Sequence, residues 1–415
     1  MSRKPGVYAV IASVCIQMTL GIAYIWSLFQ SGIAATLFDG DHPSAQLTFS
    51  LLLAMLTVGG VLGGKIGIKY GTRRTVFIGG LLISLGFLGA SFVQPQFSWL
   101  LWLTYGIMGG IGMGFTYSTT IACCQKWYPH RKGMITGMIV ASLGLGGVAF
   151  TPVARWLIVV FGDSGVGEQP TFRVLAIVFF LVCTAGSFFC KNPPEGWRME
   201  QAATKANAKT VNNYSPMQML KSVKFYLCVG TFALASMGGL MMIGFVSPIA
   251  QAHGFEPDIA AIGVLVVSLF NALGRLGWGW VSDKLGRKNT ILLMLCGSAL
   301  LSLLVGVVSG GWLFVLVAFI GLCYGGVLGT FPSLTADLFG AKHMATNYGL
   351  VLLGFGVGAI AAGQISGYFN NLVDRYDDIN RMFPAFVIAS VCALTGIVLM
   401  LMLKWRRKMD ARKTA

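Results

Sequence analysis

The chain has 415 residues, of which 55% are hydrophobic and 11% charged, and its mean hydropathy is +0.74. Soluble domains carry about 25% charged residues, so this composition excludes a soluble globular protein and defines a membrane protein. A formal net charge of +16 could suit a nucleic-acid binder, but where the charges fall along the chain excludes that reading.

Crossing a bilayer takes roughly 17–25 predominantly apolar residues. Runs of that kind fall at 7–31, 47–68, 76–93, 97–123, 134–161 and 172–190, and after a polar gap at 225–250, 259–282, 291–308, 312–336, 346–372 and 383–403. Twelve transmembrane helices are therefore predicted, numbered here as spans 1 to 12. The first run is longer than a signal-peptide core and lacks a convincing cleavage site, so it is read as an uncleaved helix. The gap, "KNPPEGWRMEQAATKANAKTVNNYSPMQMLK", is polar with prolines near both ends. It divides the chain into an N-terminal six-helix unit (1–190), a cytoplasmic linker (191–220) and a C-terminal six-helix unit with a short basic tail (221–415).

With a cytoplasmic amino terminus, only Arg155, Arg173, Arg375 and Arg381 of the 30 lysines and arginines fall on the outer side, and Arg275 falls inside a span. The rest lie on inner loops, the linker and the tail, as the positive-inside rule requires. Acids lean outward: Asp39, Asp41, Asp163, Glu168, Glu256, Asp258, Asp374, Asp377 and Asp378. The basic balance thus reports topology and contact with anionic headgroups of the bilayer, with no nucleic-acid partner. Both termini are expected in the cytoplasm of a multi-pass protein of the plasma (inner) membrane. A monomer is expected.

All nine cysteines lie within or at the edge of apolar runs and read as packing residues, with no disulfide, metal site or cofactor implied. His42, His130, His253 and His343 sit at span edges or in loops, and no His/Cys/Asp grouping or nucleotide loop appears, so no enzyme is expected. The 55 glycines cluster inside spans, as in "GIMGGIGMGF" from Gly106, where small residues let helices approach closely.

A repeat marks both halves. "GKIGIKYGTRR" from Gly64 follows span 2 and "GWVSDKLGRKN" from Gly279 follows span 8, both fitting G-x-x-x-D-K-x-G-R-R. The first copy departs from it at Ile68, in the aspartate position, and at Thr72. In the second, the glycines permit a tight turn and Asp283 is expected to face a neighbouring helix amino terminus, whose dipole favours an anion. Gly279, Asp283, Gly286 and Arg287 are read as a conformational latch.

Span 8 also holds Arg275, placed roughly 6 Å from the bilayer midplane at 1.5 Å rise per residue. A central arginine costs at least about 2.5–3.5 kcal/mol and needs a partner or a watery cavity. None of the fourteen acids lies near the middle of a span, so the guanidinium is expected to face a central cavity, hydrated when empty and paired when an anion arrives. Ser268 and Asn271 lie on the same helix face. The planar fork of arginine matches a carboxylate bidentately.

Twelve spans, the central linker and the duplicated loop motif resemble the major facilitator superfamily, which implies two six-helix bundles around a central cavity. Within it, "NALGRLGWGWVSDKLGR", "TFPSLTADLFG" and "NYGLVLLGFG" resemble the oxalate/formate antiporter family, with the closest likeness to bacterial monocarboxylate (lactate-type) carriers. The first segment is also similar to the animal proton-linked monocarboxylate transporters. The resemblance implies a pocket of Tyr117, Tyr324, Phe331, Asn271 and Arg275, completed by Tyr24, Leu28 and Leu143. Tyr117 stands out because a phenol buried in a glycine-rich helix needs a polar partner. Two departures matter. Oxalate-transporting members carry a lysine where this chain has Phe355, and the animal members carry an aspartate where it has Asn271. A secondary active transporter of small monocarboxylates (lactate, pyruvate or similar short acids), working by alternating access, is expected. Proton symport is favoured over exchange. Formate or oxalate exchange, or a non-transporting nutrient sensor of the same fold, are the alternatives.

Overall fold

The computed structural model describes residues 4–162, 165–194, 213–246, 249–250, 255–308, 310–376 and 382–403. Most of the linker, the basic tail, Asp163, His253, Asp377, Asp378 and Arg381 lie outside the described residues. The side chains of Tyr24, His42, Asp258, Asp374 and Arg375 do too.

Among the described residues all regular structure is helical, and nine helices are long and apolar enough to cross a membrane. They include span 2 (His42–Tyr70), span 3 (Thr72–Ala90), span 5 (Lys132–Val160), span 6 (Glu168–Phe189) and span 7 (Val223–Gly244). Spans 9 (Arg287–Val305), 10 (Trp312–Phe339), 11 (Met344–Tyr376) and 12 (Phe383–Met402) complete that set. Several of these helices run past the apolar limits read from sequence. Hydropathy marks only the stretch matched to hydrocarbon, whereas the backbone ladder continues into the interface.

Spans 1 and 4 change helix type along their length, whereas span 8 is continuous. Span 1 is a helix Lys4–Leu20, a 3-10 turn Gly21–Ile25 and a second helix Ser27–Leu37. Span 4 begins at Trp99–Leu101, passes through a π-helical stretch Trp102–Gly109 and continues as Gly110–Trp127. Span 8, Pro257–Leu285, is one unbroken helix that carries Arg275, Asp283 and Lys284.

Glycine sets how near the two halves come. A Cβ at Gly279 of span 8 would stand 2.4 Å from the Gly133 carbonyl oxygen of span 5, and one at Gly64 of span 2 would stand 2.2 Å from the Thr346 amide nitrogen of span 11. Gly137 against the Arg275 backbone and Gly60 against Gly349 continue the same two seams. Close approach without side-chain bulk gives such helices their van der Waals contact in the absence of a hydrophobic force within lipid. Among the described residues these approaches all lie in the part of the molecule that carries the basic loops, here called the basic end. Along the span 8 face that meets span 5, exposure rises from 2% at Arg275 to 8% at Asn271, and Ser268 is exposed. Among the described residues the halves are closed at the basic end and part toward the other.

The duplicated motif is also a structural duplicate. Gly71 and Gly286 end spans 2 and 8 with φ of 85° each, a left-handed conformation that costs glycine nothing. Each turn feeds the next helix directly, at Thr72 and at Arg287.

Candidate functional site

The closed end of the cleft is built from spans 4, 5, 8 and 11. Arg275 is buried, and its Nη1 donates to the Val140 carbonyl of span 5 at 2.9 Å. Gly144, one turn along, makes this possible: a Cβ there would crowd the guanidinium at 3.2 Å from Nη1. The expectation of a hydrated arginine facing open water is therefore corrected for this conformation. Because glycines bring span 8 against span 5, a span 5 backbone carbonyl reaches the charge.

Asn271, one turn away, is nearly buried, with its backbone carbonyl against Gly325 of span 10. Tyr117 of span 4 is 5% exposed, and its hydroxyl lies 3.4 Å from that of Tyr348 on span 11. Its backbone carbonyl accepts from Gln17 Nε2 of span 1, which also donates to Thr120 Oγ1 at 2.8 Å. Leu143 is buried on span 5, and its carbonyl packs on Gly21 where span 1 turns 3-10; Leu28 is half-buried beyond that turn. Tyr324 is buried with its ring on Gly239 of span 7.

Phe331 is placed differently from the expectation. It is fully buried and stacks on Phe232 of span 7 with centroids 4.3 Å apart and planes at 14°. Phe232 in turn touches the half-buried Phe355 at 6.1 Å. Phe331 thus offers no wall surface of its own and backs Phe355 through Phe232, since its span packs against span 7 at that level.

The second motif copy forms a charged cluster across the halves. The Asp283 carboxylate accepts from the backbone amides of Gly133 at 3.0 Å and Met134 at 2.8 Å, at the first turn of span 5. Arg287 Nη2 donates to Asp283 at 2.6 Å, and its Nε donates to Asp337 at 3.1 Å. Asp337, at the end of span 10, receives Lys132 Nζ at 2.6 Å. A neutral triad lies deeper: Gln125 Nε2 donates to Thr136 Oγ1 at 2.7 Å and Ser333 Oγ at 3.4 Å, and Ser333 Oγ donates to Thr136 Oγ1 at 3.1 Å. Among the described residues the first copy has no such cluster: Ile68 stands in the aspartate position and is exposed. His343, in the turn before span 11, has its imidazole pushed below the usual value by burial and by Lys342.

Sequence reasoning left out Lys132, Asp337, Tyr348, Phe232 and the triad. The opposite charges at span ends 132 and 337 were a usable signal. Tyr348, Phe232 and the triad residues lie within or beside apolar runs whose facing cannot be read without a partner helix.

Two six-helix halves, related by a repeated turn and seamed together at the basic end, define a multi-pass membrane transporter. The chain belongs to the Major Facilitator Superfamily, whose family model matches residues 9–363. It is 32% identical over 358 residues to the MFS-type transporter YhjX of Escherichia coli (strain K12), covering 84% of this chain and 85% of that one. It is 27% identical to the oxalate:formate antiporter of Oxalobacter formigenes (86% and 84% covered) and 24% identical to monocarboxylate transporter 13 of Bos taurus (86% and 80% covered). In fold it is similar to a variant of the E. coli fucose:proton symporter FucP, with a TM-score of 0.72 at 11% identity, covering 96% of this chain and 98% of that one.

Proposed function

We propose that this transporter carries small monocarboxylates such as lactate or pyruvate by alternating access, in symport with a proton, across the plasma (inner) membrane with both termini cytoplasmic. The observation that carries the reading is Arg275, buried at the closed end of the cleft on the face that becomes exposed at Ser268. A guanidinium there presents several N–H donors in one plane, and a carboxylate entering from the open side can accept two of them. The printed names of relatives, an oxalate:formate antiporter and a monocarboxylate transporter, support an organic anion as cargo. Phe355, backed by Phe232, gives the site an apolar side suited to a methyl or short alkyl group, which favours one carboxylate over two.

Proton symport is the coupling favoured here because a proton carried with each monoanion moves no net charge across the membrane over the full cycle. The test is uptake of labelled lactate, formate and oxalate by proteoliposomes with and without an inward proton gradient. Gradient-driven lactate accumulation is expected. Counterflow that ignores the gradient would make the protein an exchanger, and absence of flux would overturn transport of these acids.

A further inference from the structure

The two copies of the repeated turn hold their charges differently. In the second copy each cation is held within the chain. Arg287 pairs with Asp283 and Asp337, the Lys284 ammonium sits 3.7 Å from the centroid of the Trp280 ring, and Lys288 Nζ donates to the carbonyls of Leu401 and Leu403 at 2.9 Å each. The first copy carries Lys65 and Lys69 at the end of span 2 and Arg73 and Arg74 at the start of span 3, and all four side chains are exposed. Lys69 lies over the Tyr70 ring at 5.1 Å and Arg73 over the Phe188 ring at 4.2 Å, contacts that attract a cation without neutralising it. Among the described residues no carboxylate pairs with any of the four. The sequence shows why: no acidic residue stands between Asp41 and Asp163, and Ile68 fills the place that Asp283 fills in the second copy.

A bias of cations toward one side of the membrane explains their presence at this end. It does not explain why one copy neutralises its own charge and the other leaves four cations exposed. Val58 and Leu62 lie on the same face of span 2 as Lys65 and Lys69, exposed and turned away from Gly60 and Gly64, which meet span 11. One turn deeper than Arg73 and Arg74, Phe77 and Ile78 are exposed on span 3. Each pair of cations therefore ends an apolar stripe that faces lipid. We propose that this turn binds the headgroup of an anionic phospholipid, which supplies the negative charge absent at Ile68 while its acyl chains lie along Val58 and Leu62. Cations set directly above exposed apolar side chains match a phosphate above hydrocarbon, a pattern that a free phosphate leaves half unused. The second copy keeps its anion in the chain, and the first takes it from the bilayer. The site lies wholly in the N-terminal half and is independent of which acid the protein carries.

The experiment titrates purified, delipidated full-length protein with phosphatidylglycerol and follows bound lipid by native mass spectrometry, with phosphatidylcholine and glycerol phosphate as comparison probes. Wild type should hold phosphatidylglycerol at least about tenfold more tightly than phosphatidylcholine, and glycerol phosphate at equal concentration should not displace it. Each cation near an anionic headgroup is worth roughly fivefold in affinity, so Lys65→Gln, Lys69→Gln, Arg73→Gln and Arg74→Gln combined should weaken phosphatidylglycerol by about a hundredfold or more. Ile68→Asp removes no cation and restores the carboxylate of the repeat at an exposed position, where it pairs with Lys65 one turn away. It should weaken the lipid about tenfold in a protein that folds normally. Lys284→Gln with Lys288→Gln, which strips the other copy, should keep wild-type affinity. Equal affinity for the two lipids, wild-type binding in Ile68→Asp or in the quadruple variant, or an equal loss in the Lys284 and Lys288 variant would each overturn the site. Displacement by glycerol phosphate would overturn the lipid as its occupant.

Discussion

Asp283 of span 8 caps the helix that begins at Lys132 of span 5, its two carboxylate oxygens 3.0 and 2.8 Å from two first-turn amides, Gly133 and Met134. The cap joins the two halves, so it exists only in the conformation that closes the basic end. Charge-assisted hydrogen bonds of this kind are worth about 1.5–3 kcal/mol each.

Asp283→Asn keeps the shape and removes the charge, which weakens both the cap and the pair with Arg287. The closed state should lose at least tenfold in population against the state open at the basic end. With the nine native cysteines replaced, a cysteine at the buried position Thr346 reads this as faster labelling by a water-soluble maleimide. Labelling at the wild-type rate would show that the cap does not hold the seam.

Gly279→Ala adds a methyl 2.4 Å from the Gly133 oxygen, whereas a Cβ at Gly277 meets nothing within 4 Å. Overpacking of this kind costs about 1–3 kcal/mol, here charged only to the closed state. Transport should fall by about tenfold or more in Gly279→Ala and stay near wild type in Gly277→Ala. Equal losses in both variants would point to span 8 stability rather than to the seam.

Arg275→Gln retains a donor for the Val140 carbonyl and deletes the charge. Truncating one side of a buried charge pair costs about 2–5 kcal/mol, so lactate affinity should drop by roughly thirtyfold or more while the protein still inserts and folds. Calorimetry on purified protein checks it. Wild-type affinity would make the arginine structural.

Asn271→Asp sets a carboxylate one turn from the guanidinium, on a nearly buried face. Ionised, it competes with cargo for Arg275. Protonated, it does not. Lactate affinity should therefore be weaker than wild type at neutral pH and recover on acidification as the aspartate protonates. An affinity that tracks wild type at every pH would place this side chain away from the anion.

Phe355→Lys exchanges an apolar surface for a second cation. Lactate should weaken and oxalate binding should appear, because the lysine supplies the partner that a second carboxylate lacks. Burying an ionised group without one costs several kcal/mol. Phe355→Met controls for the lost ring contact with Phe232. Oxalate carried equally well by wild type would remove Phe355 as the selectivity residue.

The sequence made the twelve apolar runs, the duplicated turn and the central charge legible, because bilayer thickness and the price of an intramembrane cation act locally on residue type. Asp283 on a helix amino terminus followed from the same kind of reasoning. The 3-10 turn at Gly21–Ile25 and the π-helical stretch at Trp102–Gly109 did not show, since hydropathy is blind to which carbonyl an amide chooses. The burial of Arg275 was missed because it depends on Gly137 and Gly144 lying across a helix interface that no linear pattern specifies. Tyr348 and Phe232 were missed for the same reason.

Ile68 makes the two edges of the closed end unlike. Spans 5 and 8 are joined by carboxylates, a guanidinium and an ammonium, and spans 2 and 11 by bare backbone contact at Gly60 and Gly64. Ionic strength acts on the first edge alone, chiefly through the partly exposed Lys132–Asp337 pair, since more deeply buried charges are screened less. Bilayer thickness and lateral pressure act on both, but only the second edge answers to nothing else. Salt thus loosens the ionic edge directly and reaches the edge at spans 2 and 11 only through movement of the two halves as bodies.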